Sequence, residues 1–256
     1  MWRIVAQSVR GTSHFESGLP CQDYSAYINT YIAEEKALII GIADGAGSSK
    51  ASDLGSKEAV EFILRCVSGW QQKIDKITEV DARRWVQETR EHLESVAIEN
   101  HLETRDLSCT LLVGILGEKN SVFFQIGDGA WIAEFEGNYQ SVTWPLRGEY
   151  ANETTFITSP MWSDRLQFAV WDQFSDGFAG FTDGVQAMAL HYESESVHGP
   201  FFSPMFSALR NSEDETSLIV PLEEFLSSSH FNERTDDDKT LVIACRSQPM
   251  HLDELD

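Results

Sequence analysis

The spacing of apolar residues changes several times along this chain, and each change marks an element. Residues 2–9 read as a short strand, followed by a loop over 11–20 that carries Gly, Ser, His and Pro. Weak alternation over 24–32 and a compact apolar run over 37–43, ending at Asp44-Gly45, predict two further strands. From Ser52 to Trp70 the apolar positions are Leu54, Ala59, Val60, Ile63, Leu64, Val67 and Trp70, which share one helical face. A second helix is expected over about 81–102, with Trp85, Val86, Thr89, Leu93, Val96 and Ala97 inward and Asp81 near its start. The texture then becomes that of strands: 109–116, 121–127, 130–136, 139–144, 154–158, 167–174 and 178–182. Two helical stretches, 201–210 and 217–228, precede a closing strand at 240–245. This order predicts an α+β fold, with helices packed outside sheets. One domain is expected over residues 1–246, with 247–256 as a short acidic tail.

Composition narrows the function. The chain has 256 residues, 42% of them hydrophobic, with 7 Trp and 15 Phe, enough for a sizeable core. Acidic residues outnumber basic ones 41 to 19, for a net charge of −22, which disfavours a nucleic-acid partner. The four cysteines, Cys21, Cys66, Cys109 and Cys245, are widely separated, which argues against a zinc site or a disulfide framework. The N-terminus lacks the pattern of a signal peptide, and no apolar run is long enough to span a bilayer. A cytoplasmic protein with no membrane partner is the expectation.

Three aspartates fall where an apolar strand gives way to a loop. Asp44 opens Asp44-Gly45-Ala46-Gly47, Asp183 lies in Thr182-Asp183-Gly184, and Asp237 lies just before the last strand. Carboxylates at strand ends suit hard divalent cations, and a neighbouring glycine lets its carbonyl approach as well. Asp-Gly is also a common tight-turn signal. That turn reading is favoured for Asp128-Gly129, between two apolar segments. It is weaker for Asp44 and level with the metal reading for Asp183. The Asp236–Asp238 run reads by itself as a solvated loop. Gly45, Gly47 and Lys50 lack P-loop spacing, and no G-x-S-x-G elbow is present.

Taken together, these segments resemble the metal-dependent Ser/Thr protein phosphatases of type 2C, in a compact bacterial branch. The resemblance is carried by Cys21-Gln22-Asp23, Asp44-Gly45-Ala46-Gly47, Ser108-Cys109-Thr110, Gly127-Asp128-Gly129, Thr182-Asp183-Gly184 and Asp237-Asp238-Lys239-Thr240, in order from about residue 8 to 246. It implies a β-sandwich of two antiparallel sheets flanked by helix pairs. It also implies two Mn2+ or Mg2+ ions and a third, weaker one. Asp23 would belong to this centre and Asp44 would bridge both ions. Asp183 and Asp237 would hold the first ion, the Gly45 carbonyl the second, and Asp128 with Asp183 the third. The implied activity is hydrolysis of phosphoserine and phosphothreonine in proteins by a metal-activated water. The implied partner is a phosphorylated protein, a cognate Ser/Thr kinase or its targets.

The family's pattern has a Glu where this chain has Gln22, a histidine in many members where it has Ala46, and an arginine shortly before the first acidic pair that is absent from Glu16–Pro20. His14 is the candidate proton donor in place of that histidine. Arg147 and Arg234 are the candidate phosphate-binding cations, since a guanidinium can grip two oxygens. Gln22 and Ala46 keep open an alternative, a catalytically silent regulatory or phosphoprotein-binding module. A phosphatase for small phosphoesters is a further alternative. Residues 145–175 are expected to supply much of the substrate-selecting surface.

Overall fold

The computed structural model describes residues 2–146 and 154–247. In chain order its elements are β1 (Trp2–Val9), α1 (Thr12–Ser17), β2 (Tyr24–Ile32), β3 (Glu35–Ala43), α2 (Ser52–Ser68), α3 (Glu79–Glu99), β4 (Leu111–Leu116), β5 (Ser121–Ile126), β6 (Ala130–Phe135), β7 (Asn138–Thr143), β8 (Gln167–Trp171), β9 (Gly177–Phe181), α4 (Asp183–Ala189), β10 (Leu190–His191), β11 (Ser196–Val197), α5 (Gly199–Asn211), α6 (Ile219–Leu226), α7 (Ser229–Asn232) and β12 (Lys239–Arg246). One sheet runs β1-β12-β9-β6-β7 and the other β2-β3-β4-β5-β8, with all neighbouring strands antiparallel. The expected α+β sandwich is therefore present.

The continuous apolar runs follow from burial on both faces. In β3, Leu38, Ile40 and Ile42 point between the sheets, where they meet Trp2, Phe123, Trp131 and Phe178. The intervening Ala37, Ile39 and Ala43 face the other way, against Ile63, Val67, Trp85 and Leu93 of α2 and α3. β12 behaves alike: Val242 and Ala244 fill the sandwich, while Leu241, Ile243 and Cys245 pack on Phe202, Phe206 and Leu226 of α5 and α6. Three apolar layers thus hold four layers of structure, and each fully buried aliphatic side chain contributes about 1.5–3 kcal/mol. The α3 start is fixed by Thr78, whose backbone N–H donates to Asp81 Oδ2 at 3.0 Å. All four cysteines are free. Among the described residues no helix is long and apolar enough to cross a membrane.

Several expectations are corrected. Residues 154–158 form no strand; Ile157 makes a single ladder-like bond to the Cys109 carbonyl at 2.8 Å, and Arg90 donates to its carbonyl from α3. The 11–20 loop contains α1, ended by Gly18 in the left-handed region, φ 75°. The helix expected at 217–228 is a 3-10 turn, Glu215–Leu218, leading into α6. The short α4 and the β10–β11 ladder carry too little periodicity to show in the sequence. Asp128-Gly129 is not a hairpin turn. β5 pairs with β4 and β8 while β6 pairs with β9 and β7, so the chain crosses between sheets there. Gly127 makes the crossing with φ 116°, and a Cβ on it would lie 2.5 Å from Thr110 Cγ2. Of the expected tail, residues 248–256 lie outside the described residues.

Candidate metal centre

The strand ends converge at one edge of the sandwich. Asp44 follows β3, and Thr110 clamps its backbone just before β4: the Asp44 N–H donates to Thr110 Oγ1 at 2.9 Å, and the Thr110 N–H donates to the Asp44 carbonyl at 2.8 Å. Asp128 sits at the crossing after β5. Asp183 is the first residue of α4, directly after β9. These elements bring carboxylate oxygens of Asp44, Asp128 and Asp183 within 4.8 Å of one another. Asp237 follows α7 and precedes β12; its Oδ1 accepts the Asp238 N–H at 2.8 Å. Asp23, before β2, is buried, and its Oδ2 accepts the hydroxyls of Thr182 and Thr240, both at 2.7 Å.

The electrostatics are those of crowded anions. Asp44 is held well above the usual carboxylate range, first by burial and then by Asp23, Asp183, Asp237 and Asp128. Asp183 is pushed up to about 7 by burial, with Asp128 and Asp237 adding to it and a hydrogen bond with Asp44 opposing it. Burial raises Asp23 strongly and also raises Asp128 and Asp237. Among the described residues no lysine or arginine pairs with any of these five carboxylates. Three buried oxygens, Asp23 Oδ1, Asp128 Oδ1 and Gln22 Oε1, have no partner, and the Gly45 carbonyl accepts no hydrogen bond among the described residues. Buried oxygens without donors are costly unless a cation completes them. An all-oxygen donor set of this kind fits hard divalent ions.

The expected site residues divide clearly. Asp44, Asp128 and Asp183 form the tightest group, so Asp128, read from sequence mainly as a turn, stands in the cluster. Asp23, Gly45 and Asp237 flank it. The Asp236–Asp238 run is not a solvated loop: Asp236 is exposed, but Asp238 is buried. A Cβ on Gly11 would lie 2.3 Å from the Asp237 carbonyl carbon, so α1 seats directly on this loop. His14 on α1 reaches the same loop, with Nδ1 2.9 Å from Asp238 Oδ2. Arg147 lies outside the described residues, and Arg234 is an exposed residue just after α7, outside the carboxylate group. Sequence reasoning missed Asp238 and the supporting hydroxyls of Thr110, Thr154, Thr182 and Thr240. All but Thr154 lie within segments that carried the resemblance, so proximity to those aspartates was the available signal. Thr154 donates to Asp128 Oδ2 at 2.7 Å from the segment expected to be a strand.

Carboxylates gathered at the end of two stacked antiparallel sheets, with helices on both outer faces, define a sandwich whose acidic cluster could hold divalent cations. The family model described as Protein phosphatase 2C matches residues 10–227. The serine/threonine-protein phosphatase 3 of Escherichia coli K12 is 36% identical over 250 residues, 95% of this chain and 98% of that protein. The serine/threonine phosphatase Stp1 of Staphylococcus aureus superposes with a TM-score of 0.66 at 15% identity, covering 97% of this chain and 96% of that one. PppA of Pseudomonas aeruginosa does so with a TM-score of 0.61 at 15% identity, over 95% and 97% of the two chains. The chain belongs to the protein phosphatase 2C family.

Proposed function

We propose that this protein hydrolyses phosphoserine and phosphothreonine in proteins, using two Mn2+ or Mg2+ ions at the Asp44 cluster. The observation that carries this reading is the set of three clustered carboxylates with unpaired buried oxygens beside them and, among the described residues, no lysine or arginine in an ion pair with them. On this reading Asp44 would be shared between the two ions, Asp183 and Asp237 would help hold the first, and the Gly45 carbonyl would help hold the second. Asp128 with Asp183 would offer a third position, and Asp23 adds a further carboxylate whose charge acts on Asp44. Bound divalent ions supply an activated water near neutral pH and offset charge on the phosphoryl oxygens.

The chain's own groups do the rest. Thr110 fixes the Asp44 backbone, and Thr182 and Thr240 fix Asp23, so the donor atoms are ordered in advance. Gln22 places an uncharged acceptor where the family's pattern has a carboxylate, which weakens the second position without removing an acceptor for water. His14 delivers a proton to the departing seryl or threonyl oxygen. Arg234, and Arg147 on the 145–175 segment, are the cations available for the substrate phosphate. A phosphoprotein substrate, the target of a Ser/Thr kinase in the same cytoplasm, is the partner this chemistry requires. Nothing in the site favours a silent module, which would not need this set of paired carboxylates.

The test is phosphate release from a phosphothreonine peptide with and without Mn2+. Turnover should require the metal and fall by about three orders of magnitude or more in Asp44→Asn, the loss expected when the principal electrostatic support is removed. Equal activity in chelator, or an Asp44→Asn protein that retains wild-type turnover, would refute the reading.

A further inference from the structure

Beside the carboxylate cluster lies a buried acid–imidazole pair that the metal positions do not use. We propose that Asp238 is the positioning residue for His14, holding its ring so that Nε2 faces the Asp44–Gly47 loop. The inference rests on the phosphatase reading above and adds an orienting group to it.

Asp238 is 2% exposed and His14 9%. The Asp238 carboxylate is itself fixed: Oδ1 accepts the Gly11 N–H at 2.6 Å and Oδ2 accepts the Gln22 N–H at 2.5 Å. These two donors bracket the segment that carries His14, so the carboxylate ties both ends of it together. The backbone of His14 is pinned as well, since its carbonyl accepts from Arg10 Nη2 at 2.7 Å and from the Leu19 N–H at 2.9 Å. His14 Nδ1 then lies 2.9 Å from Asp238 Oδ2, within reach of it but without the geometry of a hydrogen bond. Such contacts in ligand-free enzymes commonly straighten when the site is loaded. The opposite edge of the ring stands nearest Gly47. A Cβ on Gly47 would stand 4.0 Å from both His14 Nε2 and Gln22 Oε1. A carboxylate at Nδ1 selects the tautomer and the ring orientation, leaving Nε2 for the substrate.

The step balances simply. The water oxygen forms the new bond to phosphorus, and the bond from phosphorus to the threonyl Oγ breaks. That Oγ takes a proton from His14 Nε2, the water gives its proton to solvent, and solvent recharges His14. An alkoxide needs this proton; a nitrophenolate leaves without it.

Asp238→Asn, His14→Gln and the double variant should therefore be assayed with Mn2+ on a phosphothreonine peptide and on 2,4-dinitrophenyl phosphate. Both single variants should lose at least about a hundredfold more activity on the peptide than on the aryl ester, the lower range for general acid catalysis. The double variant should lose no more than His14→Gln alone, and calorimetric Mn2+ affinity in His14→Gln should match wild type. Equal losses on the two substrates, additive losses in the double variant, or weakened Mn2+ binding in His14→Gln would overturn the positioning role. A wild type inactive on both esters would instead overturn the phosphatase reading. Should Asp238→Asn fail to fold, the 15N spectrum of His14 in metal-free wild type decides. Protonated Nδ1 with bare Nε2 at alkaline pH is expected, and the opposite tautomer refutes the proposal.

Discussion

Replacing Asp183 by Asn should stabilise the metal-free protein while disabling the metal-loaded one. Asp183 is raised from 3.8 to about 7, chiefly by burial, with Asp128 and Asp237 reinforcing it. A raised acid pKa means that the native state holds the proton more tightly than the unfolded state. Stability is then lost as pH rises above the unfolded value, and the loss levels off only above the folded value. The whole shift corresponds to about 4 kcal/mol, of which about 3 kcal/mol accrues between pH 5 and pH 8. In a domain of this size each kcal/mol moves Tm by about 2–4 °C, so metal-free wild type should melt at least about 6 °C lower at pH 8 than at pH 5. Asp44, raised by the same neighbours, adds to that fall. Asparagine at 183 keeps the shape and removes the charge. In chelator at pH 8 its Tm should exceed wild type by several degrees, with little difference at pH 5. In saturating Mn2+ the order should reverse, because a ligand is gone. The assay is thermal unfolding in EDTA and in MnCl2 at both pH values. Parallel melting curves for wild type and Asp183→Asn in EDTA at pH 5 and 8 would refute the view that repelling, buried carboxylates define the empty site.

Mn2+ at about 100 times its Kd should stabilise wild type by about 2.7 kcal/mol, read as a Tm rise of about 5–10 °C, and an unchanged Tm would contradict a cation site. Gly127→Ala should cost several kcal/mol in urea unfolding, since the residue holds φ 116° with Thr110 Cγ2 at 2.5 Å from a new methyl. Because Thr110 clamps Asp44, the same change should also weaken Mn2+ binding, measured by calorimetry. Thr240→Val removes one of the two hydroxyls on Asp23 Oδ2 and should lower stability by about 1–3 kcal/mol, the cost of stripping a donor from a buried carboxylate.

The sequence by itself determined the elements with long, clean periods. α2 and α3 show a single apolar stripe each, and β3 over 37–43 and β12 over 241–245 are continuously apolar because both of their faces are buried there. The family resemblance followed from short motifs at the ends of such strands, so Asp44, Asp183 and Asp237 stood out as candidate ligands from the order of residues alone. Tertiary structure alone decided what those motifs do together. Whether Asp128-Gly129 turns back on itself or crosses to the facing sheet depends on which strands pair with β5 and β6, a long-range choice that no local window contains. Asp238 looked like one acid in a charged run, and only the seating of Gly11 and Gln22 on that run buries it. His14 meets Asp238 across most of the length of the chain, and Thr182 and Thr240 reach Asp23 from two different strand ends. Local patterning records the burial of a face, because burial acts on each residue's own side chain. A polar site is made of groups from distant segments, and their convergence exists only once the sheets have closed on each other.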